Sequence, residues 1–392
     1  MSTPRKSSQH VYDYAIIGSG LSGLCIANAL SKITNNLVLI EGGDTFGGFN
    51  RSISTPVGPL NNGLRHMPSS ELSEKAISFL EKLLARNLEA TSVENSPITF
   101  EAGNLKPFLG FGENPPAFYE DIKYFTTNEH LVTNSDPYEW IQALYEGFAG
   151  DFSPKSFVTK FNGENGQITS ATINGQKKIN ALNFIYCGPL KALAGLLPED
   201  ALNSKAKTKL AKGQYWTAVC LDLLHPEAVT DSDSIHVLNG TTQDELGPCV
   251  GRFLGSVEVP GGNVQQYSQW MTFVDGEESE DSEVIGAALK KVKRQIKRAY
   301  PAALEKLAFE RILVVPEYSG NGELKLNSNQ SLPTYKNLWI SSHANSDQKN
   351  LVGALNQAEL VCSALGCHPD GFQIEPASNI NLSETPQPEA NA

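Results

Sequence analysis

Apolar residues fall into short unbroken runs near both ends of the chain and into alternating runs in its middle. Tyr14-Ala15-Ile16-Ile17 and Leu37-Val38-Leu39-Ile40 are continuous apolar tetrads, the pattern of parallel strands buried on both faces. Residues 24–32 between them predict a helix. Ala181-Leu182-Asn183-Phe184-Ile185-Tyr186-Cys187 and Asn337-Leu338-Trp339-Ile340 predict two further buried strands, followed by helices near Leu190 and over 351–365. Short strands over 158–161, 168–173 and 178–180 are expected around turns at Asn162-Gly163 and Asn174-Gly175. Leu72, Ala76, Ile77, Leu80, Leu83 and Leu84 recur at helical spacing and predict a helix over 71–88. Alternation over 214–223 and 264–273 predicts strands of a second, mixed sheet, with a helix over 283–298. That helix carries Lys290, Lys291, Lys293, Arg294, Lys297 and Arg298, a stripe that reads as a solvated face or as a dock for an acidic partner. The stretch 103–127 has little period but many rings and prolines: Phe108, Phe111, Pro115, Pro116, Phe118, Tyr119, Tyr124 and Phe125. It reads equally as a lid over a pocket and as a loop packed by its own aromatics.

The first strand runs straight into Gly18-Ser19-Gly20-Leu21-Ser22-Gly23, and the second ends at Glu41. A lone glycine repeat says little, but strand, glycine turn, helix and strand-end acid together answer the demands of a dinucleotide. Gly18 permits the tight bend, Gly20 lets backbone approach a pyrophosphate, and Gly23 lets the helix pack on the strand. The helix over 24–32 aims its positive N-terminal end at the phosphates, and Leu21 and Ser22 in the turn before it are expected cofactor contacts. Glu41 can accept from both ribose hydroxyls, and an acid there disfavours the 2′-phosphate of NADP.

From Glu41 the chain reads Glu41-Gly42-Gly43-Asp44-Thr45-Phe46-Gly47-Gly48, with Arg51 and Ser52 close behind. This resembles the acid and glycine-pair signature of the flavin amine oxidase superfamily. That group includes amine and amino-acid oxidases, protoporphyrinogen oxidases, carotenoid desaturases and UDP-galactopyranose mutases. The resemblance implies FAD, with Gly47 and Gly48 close to its diphosphate and ribityl chain and Gly42 among its binding residues. Many members carry arginine directly after the pair; here Phe49 stands in that place and Arg51 follows two positions later. Asn61-Asn62-Gly63-Leu64-Arg65-His66 looks like the family's glycine loop under the flavin. On that match Gly63 and Leu64 pass the ring, and Arg65 or His66 faces the substrate. On the residues alone it is a polar surface loop. Phe157-Val158 matches the family's adenine contact, with Val158 as the contacting residue, and Gly188 lies where its meander closes. Ser341-Ser342-His343 and Leu351-Val352-Gly353-Ala354 are similar to the family's second FAD motif, with His343 in place of the usual acid. The resemblance implies that Val352, Gly353 and Ala354 open a helix aimed at the flavin.

The expected fold is α/β, a Rossmann-type FAD-binding domain (10–70, 138–200, 330–368) with a second mixed-sheet substrate domain (71–137, 201–329). The segment 373–392 is expected to be a loose tail. Tyr215, Trp216, Arg252, Gln269 and Trp270 are candidates for the substrate face, and the expected catalytic set is Arg65, His66 and Trp270. A net charge of −12 argues against nucleic acid. The first eleven residues have no signal-peptide core, no run reaches transmembrane length, and the six scattered cysteines form no CxxC; a cytoplasmic protein is expected. No metal constellation appears, and no feature fixes an oligomeric state. The expected activity is FAD-dependent removal of hydride from a C–N or activated C–C bond of a small molecule. The alternatives are a flavoenzyme acting on a peptide or protein, a non-redox flavin mutase, and a flavin-fold binding protein with little turnover.

Overall fold

The computed structural model describes residues 10–111, 118–239, 248–259, 263–320 and 324–371. Pro115, Pro116 and the tail 373–392 lie outside them.

The apolar tetrads become the centre of a seven-stranded sheet. Its order is Val158–Glu164, Gln167–Ile173, Lys177–Tyr186, Val11–Ile17, Leu37–Ile40, Asp151–Ser153. The late strand Leu338–Ile340 pairs in parallel with Lys177–Tyr186. Leu37–Ile40 is buried at every position, as a strand covered on both faces requires. One face packs on the helices Leu21–Leu30, Glu71–Leu84, Pro137–Glu146 and Asn350–Ala364 through Leu24, Ile26, Leu39, Leu80, Trp140 and Leu355. The opposite face buries Phe161, Phe184, Tyr186, Leu193 and Tyr335.

A second, eight-stranded sheet is built around Tyr215–His225, flanked by Asn263–Asp275 and Phe309–Gly320. Cys249–Phe253, His236–Leu238 and the hairpin Ile98–Glu101/Asn104–Pro107 extend it. Alternation sorts its side chains onto two buried faces. Leu221, Leu223, Trp270 and Phe253 meet the helix Ser282–Ala299 through Val292 and Ile296. Ala218, Cys220, Val250, Met271 and Phe273 meet Leu64, Phe118 and Phe125.

Several expectations shift. The runs 178–180 and 181–187 are one strand, Lys177–Tyr186. The hairpin before it does not turn at Asn162-Gly163, which lies inside Val158–Glu164 at a register shift. It turns at Asn165-Gly166, both in the left-handed region at φ 52° and 72°; two consecutive left-handed residues make the turn that suits a tight hairpin. The helix expected over 71–88 ends at Leu84, where Ala85 adopts φ 49°. Within 103–127, Phe118 and Phe125 are buried against the second sheet and Phe108 packs on Phe111 at 4.9 Å, so the described part behaves as a ring-packed segment. Among the described residues no helix is long and apolar enough to cross a membrane.

Candidate functional site

Three glycines shape the first turn. Gly18 sits at φ +101°, and a Cβ there would lie 3.1 Å from the Cys187 carbonyl oxygen. A Cβ at Gly23 would fall 1.9 Å from the Gly18 oxygen, so helix and turn touch backbone to backbone. Gly20 is different: a Cβ there would meet nothing within 4 Å, because it would project into open space.

That space is a cavity of about 470 Å³, within the range of small-molecule sites. Gly18, Ser19, Gly20, Leu21 and Ser22 form one wall, and Glu41, Gly42, Phe157 and Val158 close one end. Gly48, Phe49, Leu64, Arg65, His66, Ser341, His343, Leu351 and Ala354 line the other. Gly188 and the strand segment Val315-Pro316-Glu317-Tyr318 complete it.

Two helices begin at this cavity, Leu21–Leu30 and Asn350–Ala364, and neither start carries a side-chain cap. The helices Glu71–Leu84, Ser204–Ala211 and Ser282–Ala299 are capped by Ser70, Asn203 and Asp281. First-turn amides have no partner within their own helix, so two sets of donors face one cavity. Ser22, in the first turn of Leu21–Leu30, shares a hydroxyl–hydroxyl hydrogen bond with Ser341, directly after the strand Leu338–Ile340. A third helix, Leu190–Leu196, also begins here, but Glu317 caps it by accepting from the Lys191 amide at 3.0 Å.

Glu41 is held in place by three donors. The Ser19 amide (3.0 Å) and hydroxyl reach one oxygen, and the Gly43 amide (2.7 Å) reaches the other. A carboxylate offers about four acceptor positions, so one remains toward the cavity. Phe157 lies over Gly42, where a Cβ would press within 2.8 Å of its ring.

Of the remaining expected cofactor residues, five are not in the cavity wall. Gly47 donates its amide to the Ser19 carbonyl (2.8 Å) and packs under Ile141. Gly63 sits beneath the second sheet, where a Cβ would lie 3.3 Å from Cys220 Sγ. Arg51 is exposed. Val352 is buried in the core behind the helix start, and Gly353 abuts the Gln348 carbonyl.

The loop over 61–66 is not a surface loop: Asn62, Leu64, Arg65 and His66 are all buried. Arg65 spends four of its five N–H donors, on Asn50 Oδ1 (2.9 Å) and on the carbonyls of Leu64 (3.1 Å), Asn62 (2.7 Å) and Phe49. Its guanidinium lies 3.5 Å from the centre of the Phe49 ring, so it clamps the glycine-pair turn to this loop. Burial lowers its pKa to about 10. His66 has neither ring nitrogen hydrogen-bonded; burial, then His130 and Arg252, hold its pKa near 3. His343 faces the Tyr318 carbonyl at 3.0 Å, and burial lowers its pKa.

Trp270, expected in the catalytic set, is a core residue. It is fully buried in the cluster facing the helix Ser282–Ala299, and its Nε1 donates to Ser268 Oγ at 2.9 Å. Tyr215 and Trp216 also lie outside the cavity: Tyr215 donates to the Leu210 carbonyl (2.8 Å), and Trp216 packs edge-on against Phe118.

A polar row unseen in the sequence supports the loop over 61–66. Across four strands, Arg311, Asp222, Gln269 and Arg252 stand side by side in register. Gln269 donates to the Asn61 carbonyl (2.9 Å) and Arg311 to Asn62 Oδ1 (2.5 Å). Burial raises the Asp222 pKa from 3.8 to about 6, with Arg311 and Gln269 pulling the other way. The native state therefore binds more protons than the unfolded chain in that window. The stability from this group is present below the lower value, is lost as pH rises through the upper one, and is flat beyond. Asp222→Asn is expected to gain on wild type by roughly 2–3 kcal/mol between about pH 4 and 7, read from thermal unfolding across that range.

Residues 16–83 match the model of the NAD(P)-binding Rossmann-like domain. No curated protein sequence matches the chain. Among solved structures it is similar to an oxidoreductase from Methanosarcina mazei, with 14% identity and a TM-score of 0.63 over 89% of this chain and 99% of that one. A redesigned double mutant of putrescine oxidase aligns over 91% and 98% of the two chains, with 12% identity and a TM-score of 0.59. The cyclohexylamine oxidase of Brevibacterium oxydans aligns over 92% and 99%, with 11% identity and a TM-score of 0.58. The chain thus shares the fold of these solved structures, a Rossmann-like sheet joined to a mixed sheet.

Proposed function

We propose that this chain is an FAD-dependent oxidoreductase that takes hydride from a C–N or activated C–C bond of a small molecule. One observation carries the reading: two uncapped helix starts, from opposite ends of the polypeptide, line a single cavity that ends at the Glu41 carboxylate. The bare Gly20 fits the same group, because it leaves room where a pyrophosphate would lie against backbone.

FAD, when bound, supplies the hydride-accepting chemistry. The chain's own residues bind and orient it. Glu41 and Gly42 would hold the adenosine end, and the amides of Leu21 and Ser22 would donate to the diphosphate. The start of the helix Asn350–Ala364 presents its positive end where negative charge would develop. Leu64, Tyr318 and Phe49 exclude water from the far end. His66, held neutral, can accept or donate a proton there but carries no charge of its own at neutral pH.

The purified protein is expected to be yellow or to become so on reconstitution, with its flavin bleached anaerobically by an amine. Absorbance spectra before and after adding amines, amino acids, NADH and NADPH check this. A protein that takes up no FAD under any condition ends the reading.

A further inference from the structure

We propose that a side pocket beside the loop over 61–66 is an anion subsite, holding a carboxylate on the tail of the substrate, remote from the carbon that reacts. The inference rests on the oxidoreductase reading and gives it a substrate class. The pocket encloses about 110 Å³ and shares Arg65, His66 and Leu351 with the wall of the cofactor cavity. A ligand reaching past His66 would place its reacting end in the larger space and its tail in the smaller one.

Three nitrogen-bearing side chains line this pocket with donors unused. His66, 6% exposed, has both ring nitrogens without a partner. His130 stacks on it at 5.2 Å between ring centres, and its Nδ1 is likewise unpartnered. The Arg252 Nε is buried with no acceptor. Buried donors and acceptors left without partners in this way destabilise the empty pocket.

The acids nearby do not fill the gap. Asp136 is exposed, accepts from Asn61 Nδ2 at 2.8 Å, and caps the helix Pro137–Glu146. Asp136 and Asp233 act on Arg252 only through space; among the described residues neither closes an ion pair with it. Arg65 has four of its five donors spent on carbonyls and Asn50. The unused groups are therefore a guanidinium N–H and two neutral imidazoles with one N–H each, donors that an ionised carboxylate accepts from in charge-assisted bonds.

Size and rigidity agree. At about 30 Å³ per water-sized group, the pocket admits roughly three or four such groups, the bulk of a carboxylate with its neighbouring carbon. Arg252 stands in the strand Cys249–Phe253 beside Gln269, which is itself bonded to Asp222 and to the loop, so the backbone that carries the guanidinium is fixed before a ligand arrives.

Acetate titrated into the full chain, followed by the histidine C2–H resonances, tests the subsite without flavin turnover. Two of the seven histidines are expected to shift saturably, inorganic phosphate less so. Arg252→Gln should weaken the effect at least tenfold, while Arg252→Lys retains most of it and guards against a misfolded variant. In turnover, ω-amino acids should show KM values at least tenfold below those of the matching alkylamines, an advantage that Arg252→Gln removes. No saturable shift in the wild type, or acetate binding undiminished in Arg252→Gln, overturns the subsite. Amine oxidation without acetate binding leaves the oxidoreductase reading standing and this one fallen. Acetate binding in a protein that takes up no FAD ends the oxidoreductase reading and with it the substrate role of the pocket, leaving an anion site alone.

Discussion

A Gly20→Val protein is expected to fold normally and to bind FAD at least ~100-fold more weakly than wild type, about 2.8 kcal/mol at 1.4 kcal/mol per decade. Gly20 has φ −71° and ψ −176°, an extended conformation open to any residue, so the substitution brings no backbone strain. A Cβ there meets no protein atom within 4 Å, so it brings no internal collision either. The isopropyl group would occupy only the space between the helix start and the opposite wall. The fold and the site therefore come apart in one variant. Its melting temperature should stay within a few degrees of the wild-type apoprotein, while a flavin fluorescence titration shows little quenching. Equal FAD affinity in the two proteins would place the diphosphate elsewhere.

Trp270→Ala should do the opposite, costing about 3–5 kcal/mol of stability with flavin affinity intact. The indole is fully buried, packs edge-on to Phe253 at 5.6 Å and His236 at 5.8 Å, and covers Gly251, where a Cβ would fall 2.4 Å from the ring. Removing it opens a cavity that neighbouring strands cannot close, and it strands Ser268 Oγ without one of its donors. Urea unfolding of wild type and variant measures the loss. A variant as stable as wild type but slow in turnover would return Trp270 to the catalytic set.

These two residues also show where the sequence is legible. Gly18, Gly20 and Gly23 each answer a steric demand within one strand–turn–helix unit, so their spacing carries their roles. Trp270 and Gln269 differ because both faces of the second sheet are buried. Alternation says that neighbours face opposite ways, but it does not say which face meets the cavity. The row Arg311, Asp222, Gln269 and Arg252 depends on cross-strand register over segments far apart in the chain, which local pattern does not encode. Val315-Pro316-Glu317-Tyr318 did leave a signal. A proline inside a strand marks an interrupted ladder, and Glu317 at φ 50° turns there to cap a helix across the cavity. Phe49, in the place of the family's arginine, is answered by Arg65 stacking on it from the next loop.

The opening helix packs along the closing one, and the strand Leu338–Ile340 completes a sheet begun at Val11. On the ribosome, then, the Rossmann-like lobe cannot seal as it emerges. Its first strands must wait, apolar and half-covered, until residues beyond 350 are made. Such distant pairing is slow to form and leaves sticky edges open meanwhile, so yield during expression should depend more on temperature and chaperone supply than the finished protein's stability would suggest.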